Sequence, residues 1–147
     1  MKLGAPLALV SLALALTGCG SSSLSATQLR SGAGRICAIA QRRTARIPTP
    51  TAPSGGARYL GRGIAALNPE LVALRTLHPP SDMAPDYRAA LAATAAEVRA
   101  LRSTVKGLRA GNDPVVAIKI LQQRLAPLET RAGAAWRSLN LPVCAAG

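Results

Sequence analysis

Few side chains in this sequence could perform chemistry, and their spacing limits what that chemistry would be. There are three cysteines (Cys19, Cys37 and Cys144), one histidine, and 6 acidic residues against 18 Lys plus Arg, a formal net charge of +12. His78 stands between Leu77 and Pro79 with no acid or Cys at ligand spacing, so it reads as a loop or helix-end residue and not as a base or metal ligand. Asp82 and Asp86 read as capping charges at a helix start. Glu97 and Glu129 are single acids among arginines, for which ion pairing is the default expectation. Ser21 to Ser23 have no histidine nearby, and there is no Cys-x-x-Cys redox pair. Gly32-Ala33-Gly34 and Gly61-Arg62-Gly63 are too short for a phosphate loop and lack its strand-to-helix setting. The expectation is a protein that is not an enzyme and uses no metal and no cofactor.

Positive charge, by contrast, is abundant and patterned. Arg99, Arg102, Lys106 and Arg109 recur at steps of three, four and three, which puts them on one helix face, and Arg35, Arg42 and Arg46 form a second such stripe. Together they are candidates for binding a polyanion: anionic lipid headgroups, wall-linked phosphate polymers or extracellular nucleic acid. Nucleic acid is the weakest of the three, because Trp136, Tyr59 and Tyr87 are too few for a stacking platform and no binding motif is present. A purely structural role is the competing reading, since arginines beside an apolar stripe cover it with their methylenes.

The elements that must carry these residues begin with a targeting segment. After Met1 and Lys2, an apolar run from Leu3 to Leu16 is interrupted only by Gly4, Pro6 and Ser11. A membrane span needs roughly 20 apolar residues, whereas a signal-peptide core needs only about 7–15. The run ends Leu16-Thr17-Gly18-Cys19, which resembles the lipobox of bacterial lipoproteins. That resemblance implies a signal peptide over residues 1–18, cleavage before Cys19, and a diacylglycerol joined to the Cys19 sulfur. It implies a protein lipid-anchored at the extracytoplasmic face of the cell membrane, where two or more acyl chains hold stably and one is marginal. Residues 19–26, small and Ser-rich, then form a flexible tether that reaches only about 15 Å.

Residues 27–147 make the folded domain. Apolar residues are 49% of the chain, but aromatics are 2% and Phe is absent, so the expected core is Leu, Val, Ile and Ala, which favours helices over a sandwich or barrel. A first helix spans about Thr27 to Ile47, with Leu29, Ile36, Cys37 and Ala40 along it, and Pro48, Pro50, Pro53, Gly55 and Gly56 form a loop. From Tyr59, a stripe of Leu60, Ile64, Leu67, Leu71, Leu74 and Leu77 keeps phase across Asn68-Pro69-Glu70, which predicts one kinked helix rather than two. A third helix starts between Ser81 and Asp86 and carries Met83, Tyr87, Leu91, Thr94, Val98, Leu101, Val105 and Leu108 before Gly111 stops it. Asp113 and Pro114 start a fourth, with Ile118, Leu121, Leu125, Leu128, Ala132, Ala135 and Leu139 inward and a kink at Pro127. The predicted architecture is all-α: a four-helix up-down-up-down bundle with kinked helices.

With Cys19 acylated outside the cytoplasm, Cys37 and Cys144 remain where disulfides persist and are expected to pair. The bridge would join the first helix to the tail and close a loop on the order of 100 residues, a stabilisation of about 4–5 kcal/mol in the chain-entropy model. The layout resembles small exported helical proteins of actinobacteria, through Ile36-Cys37-Ala38, Leu77-His78-Pro79-Pro80 with Tyr87, and Leu139-Asn140-Leu141-Pro142-Val143-Cys144. The resemblance implies the fold and the disulfide and brings no activity with it. Two functions are therefore expected. The first is a lipid-anchored, non-catalytic cell-envelope domain acting through protein or polyanion contacts. The alternative is a carrier or sensor of a small apolar ligand held between helices that open at Pro69 and Pro127.

Overall fold

Caps and prolines set where each helix begins and ends. A computed structural model describes residues 23–145; the signal segment, the lipobox-like Leu16–Cys19 and the tether residues before Ser23 lie outside them. Helix α1 (Ala26–Thr44) opens with a reciprocal cap. The Ser25 hydroxyl accepts from the Gln28 amide at 3.2 Å, and the Gln28 side-chain oxygen accepts from the Ser25 amide at 2.8 Å. The amide of Leu24 donates to the carbonyl of His78 at 2.8 Å. The predicted tether therefore ends sooner than residue 26, because a strong local cap and a backbone bond fix the chain from Leu24.

Helix α2 (Gly56–Arg75), preceded by a one-turn 3-10 helix at Pro53–Gly55, continues unbroken through Pro69, as one helix and not two. Helix α3 (Ala84–Arg109) has Met83 at its cap position with no side-chain cap bond, and Asp86 alone of the two aspartates lies in its first turn. The capping role expected for Asp82 is thus not filled. Gly111, at φ 92°, reverses the chain, and the Asp113 carboxylate accepts from the Val116 amide at 2.9 Å to start α4 (Pro114–Ser138), which contains Pro127. A short α5 (Pro142–Ala145), not anticipated, follows a turn at Asn140, φ 58°.

The described residues form an all-α bundle with no strand. Helix α3 packs against both α2 and α4, α1 packs against α2, and α5 packs against both α1 and α4. The tail is thus a structural wall. Cys144 is bonded to Cys37 with a Cα–Cα distance of 5.2 Å, Gln41 donates to the Val143 carbonyl at 2.6 Å, and Arg30 donates to the Leu139 carbonyl at 3.0 Å. The glycines flanking Ala33 serve this packing: a Cβ at Gly32 would touch Leu77, and one at Gly34 would touch Val143.

The main core gathers Leu29, Ala33, Cys37, Leu74, Tyr87, Ala90, Trp136 and Leu139 at the end where the chain enters. Its two largest fully buried side chains are aromatic, which corrects the expectation of a purely aliphatic core. Tyr87 and Trp136 meet edge to face, centroids 5.8 Å apart at 80°. Each polar tip is satisfied. The Tyr87 hydroxyl donates to the Leu74 carbonyl at 2.7 Å, and Trp136 Nε1 donates to the Thr94 hydroxyl at 3.1 Å. Burial pushes the Tyr87 phenol above its ordinary range. A smaller cluster of Leu60, Val105 and Leu121 fills the other end.

Candidate functional site

Two concave regions collect the chain's charges. The first is a groove of about 360 Å³ on the outside of the α2–α3 pair, lined by Gly61 and Ile64 of α2 and by Arg102, Val105, Lys106 and Arg109 of α3. All three cations are exposed, and no carboxylate lines the groove. Gly61 makes the floor open, because a Cβ there would meet nothing within 4 Å. One wall is fixed: Arg102 Nη2 donates to the Asn68 side-chain oxygen at 2.6 Å. Arg102, Lys106 and Arg109 of the predicted stripe thus come together, while Arg99, exposed on the same helix, is outside the lining.

The second predicted stripe is not continuous. Arg35 and Arg42 are exposed on α1, but α1 ends at Thr44, so Arg46 lies beyond the helix. Helix α1 packs chiefly on α2 and α5, and no hydrogen bond among the described residues joins the two stripes.

The second region is a cavity of about 250 Å³ enclosed by α2, α3, α4 and the tail. Leu67, Leu101, Leu125 and Trp136 give it apolar walls, Cys144 and Ala145 close one side, and Glu70, Glu97 and Glu129 all line it. Those three are half of the chain's 6 acids. Among the described residues none of them makes an ion pair or side-chain hydrogen bond, which overturns the expectation that Glu97 and Glu129 pair with arginines. Burial, and then the Glu97 charge, push Glu70 up to about 7. Burial, and then the Glu129 charge, push Glu97 up to about 7. Glu70 also borders a groove of about 200 Å³ under α1, where Arg43 is the neighbouring cation.

This arrangement can exchange protons near neutral pH and offers carboxylates to a cation. Among the described residues no three His, Cys, Asp or Glu side chains are grouped to hold a metal ion. His78 is exposed in the turn after α2, with its carbonyl taken by Leu24.

Glu70, Glu97 and Glu129 sit on three different helices, so no spacing in the sequence connects them. A weaker signal exists within each helix. Glu70 falls three after Leu67 and four before Leu74, Glu97 three after Thr94 and four before Leu101, and Glu129 four after Leu125. Acids in phase with an apolar stripe belong at its inward edge. Compared with protein-family models, curated proteins and solved structures, the chain finds no match in any of the three.

Proposed function

We propose that this chain is a lipid-anchored, non-catalytic domain of the cell envelope, held through Cys19 at the extracytoplasmic face of the cell membrane, and that it works by contact with a polyanion. The observation that carries the contact is the α2–α3 groove, in which Arg102, Lys106 and Arg109 line the α3 side of an open glycine floor with no carboxylate among them. Arginine suits this task, since its guanidinium meets phosphate oxygens in pairs. The anchor is supported by the likeness of Leu16-Thr17-Gly18-Cys19 to a lipobox. Protein partners reach the same exposed face. Intact mass of the protein extracted from its own membranes tests the anchor, and a mass beginning at Cys19 plus acyl chains is expected. Binding of soluble polyphosphate tests the contact. It should weaken steeply as salt rises, and binding that ignores salt would sink the polyanion reading.

A second reading, a carrier of a small ligand, is favoured by the enclosed cavity. The three carboxyls shift the expected ligand from purely apolar to a small organic cation with an apolar body, because a neutral molecule would leave their charge uncompensated. Trp136, the only tryptophan, lines the cavity and reports directly. Hexylamine should saturate a change in its fluorescence at concentrations where hexanol does nothing. No response to either, or an equal response to both, ends this reading.

A further inference from the structure

We infer that the α2–α3 groove takes a segment of a linear phosphate polymer presented away from the anchoring membrane, rather than the headgroups of the leaflet that holds the protein. The inference rests on the polyanion reading above and adds which polyanion it is. Its starting point is where the chain enters. Leu24 is bonded to the His78 carbonyl, in the turn between the end of α2 and the start of α3. From Ala84, α3 rises about 27 Å to Arg102 and about 37 Å to Arg109, at about 1.5 Å per residue. Only five peptide steps separate Cys19 from Leu24, which caps their reach at about 18 Å. The lipids around the anchor lie at the entry end of the bundle, and screening at physiological salt acts over about 8 Å. A polymer projecting from the surface reaches the groove, whereas the leaflet does so only if the domain lies on its side.

The shape of the groove points the same way. Arg102, Lys106 and Arg109 are strung over about 10 Å along one helix axis, between the apolar Ile64 and Val105. That is a furrow for a thread with repeating charge and is poorly matched to a flat sheet of headgroups. The Asn68 bond occupies one nitrogen of Arg102 and leaves its other donors for phosphate. No aromatic ring lines the groove, so a phosphate backbone is recognised and bases are not.

The test uses the full, lipidated protein in phosphatidylcholine vesicles with fluorescein-labelled linear polyphosphate as the probe. Substituting Arg102→Gln, Lys106→Gln and Arg109→Gln together should weaken binding about tenfold or more, since each phosphate contact contributes separately. Arg35→Gln, Arg42→Gln and Arg46→Gln together remove the same charge elsewhere and should change it by no more than about threefold. Gly61→Leu is the decisive variant, because a Cβ there meets nothing within 4 Å and leucine fills the floor without altering charge; an undiminished thermal midpoint, measured alongside, separates loss of binding from unfolding. Adding phosphatidylglycerol to the anchoring vesicles should leave polyphosphate affinity unchanged. Equal losses in the two charge-removal variants, or full binding by Gly61→Leu, would overturn the groove assignment. Displacement of the polymer by phosphatidylglycerol would show that the groove faces its own leaflet. Both results leave the polyanion reading intact, whereas no polyphosphate binding by the unaltered protein defeats both.

Discussion

Glu97 in the cavity and Arg102 in the groove are five residues apart on α3, yet the two regions handle charge in opposite ways. The groove keeps its cations in water, where each costs little and each is screened within about 8 Å. The cavity takes Glu70 and Glu97 partly out of water with no cation paired to them, while Glu129 stays exposed at its rim. A chain of net charge +12 should hold its acids low, but Glu70 and Glu97 stand near 7. Burial and mutual repulsion therefore outweigh the attraction of arginines that are many but solvated and distant. Burial, not net charge, sets the local chemistry. The cavity also depends on the tail for one wall, while the groove is built entirely on the α2–α3 pair.

The largest effect should come from separating the two regions at that wall. Replacing Cys37 and Cys144 with serine opens a loop whose ends are 107 residues apart, at a cost of about 4–5 kcal/mol. Thermal denaturation should show a correspondingly lower midpoint. Because Cys144 and Ala145 close the cavity, Trp136 emission should also shift to the red in the molecules that remain folded, while polyphosphate binding in the groove persists. An unchanged midpoint with unchanged emission would mean that the tail does not close the cavity.

How much of this was legible in the sequence follows the range of the interactions involved. The four long helices, the passage of α2 through Pro69, the Asp113 cap and the turn at Gly111 are local, and local signals carry them, whereas the four-residue α5 is too short for any periodicity to mark. The disulfide was legible because only two cysteines remained once Cys19 was set aside. Trp136, four after Ala132 and three before Leu139, is in phase with the inward stripe as fully as Ala135 is; what no spacing shows is its edge-to-face contact with Tyr87 and its bond to Thr94, both on another helix. The acidic cavity escaped for the same reason in stronger form, since three helices each supply one carboxyl. Of the groove, the cations were legible as a stripe, but the Gly61 floor and the Asn68 clamp come from the opposite helix.

A smaller effect separates the two regions by pH. Glutamate ordinarily titrates at 4.5, and Glu70 and Glu97 titrate near 7 in the folded protein. Between those values the folded state holds protons that the unfolded state has released. Stability should therefore fall as pH rises from about 5 to about 7 and then level off. Glu97→Gln should flatten this profile, exceeding the unaltered protein in thermal midpoint at pH 8 and approaching it at pH 5. Hexylamine binding, which needs ionised carboxyls, should strengthen over the same interval. The groups facing this cavity are Glu70, Glu97 and Glu129, with Arg43 across the neighbouring groove, and no other charge on the packed helices enters its lining. Polyphosphate binding in the groove should stay level throughout, because arginine and lysine keep their charge. A stability curve that stays level or rises from pH 5 to pH 7 would show that burial does not raise these carboxyls, and the contrast between the regions would disappear.

The smallest effect is also the most local. Gly61 and Gly63 both lie inside α2, and a Cβ at either meets nothing within 4 Å. Alanine at each should raise stability by about 0.5–1 kcal/mol, since glycine loses the most backbone freedom on folding. Only Gly61 lines the groove. Gly63→Ala should then raise the thermal midpoint and leave polyphosphate affinity alone, whereas Gly61→Ala should raise it similarly while narrowing the floor and weakening the polymer contact. A shift in affinity from Gly63→Ala as large as that from Gly61→Ala would mean that stiffening of α2, and not the space above Gly61, controls binding. If only Gly61→Ala weakens it, two glycines separated by Arg62 alone divide cleanly, Gly63 costing the helix stability with no return in binding and Gly61 trading that stability for an open floor.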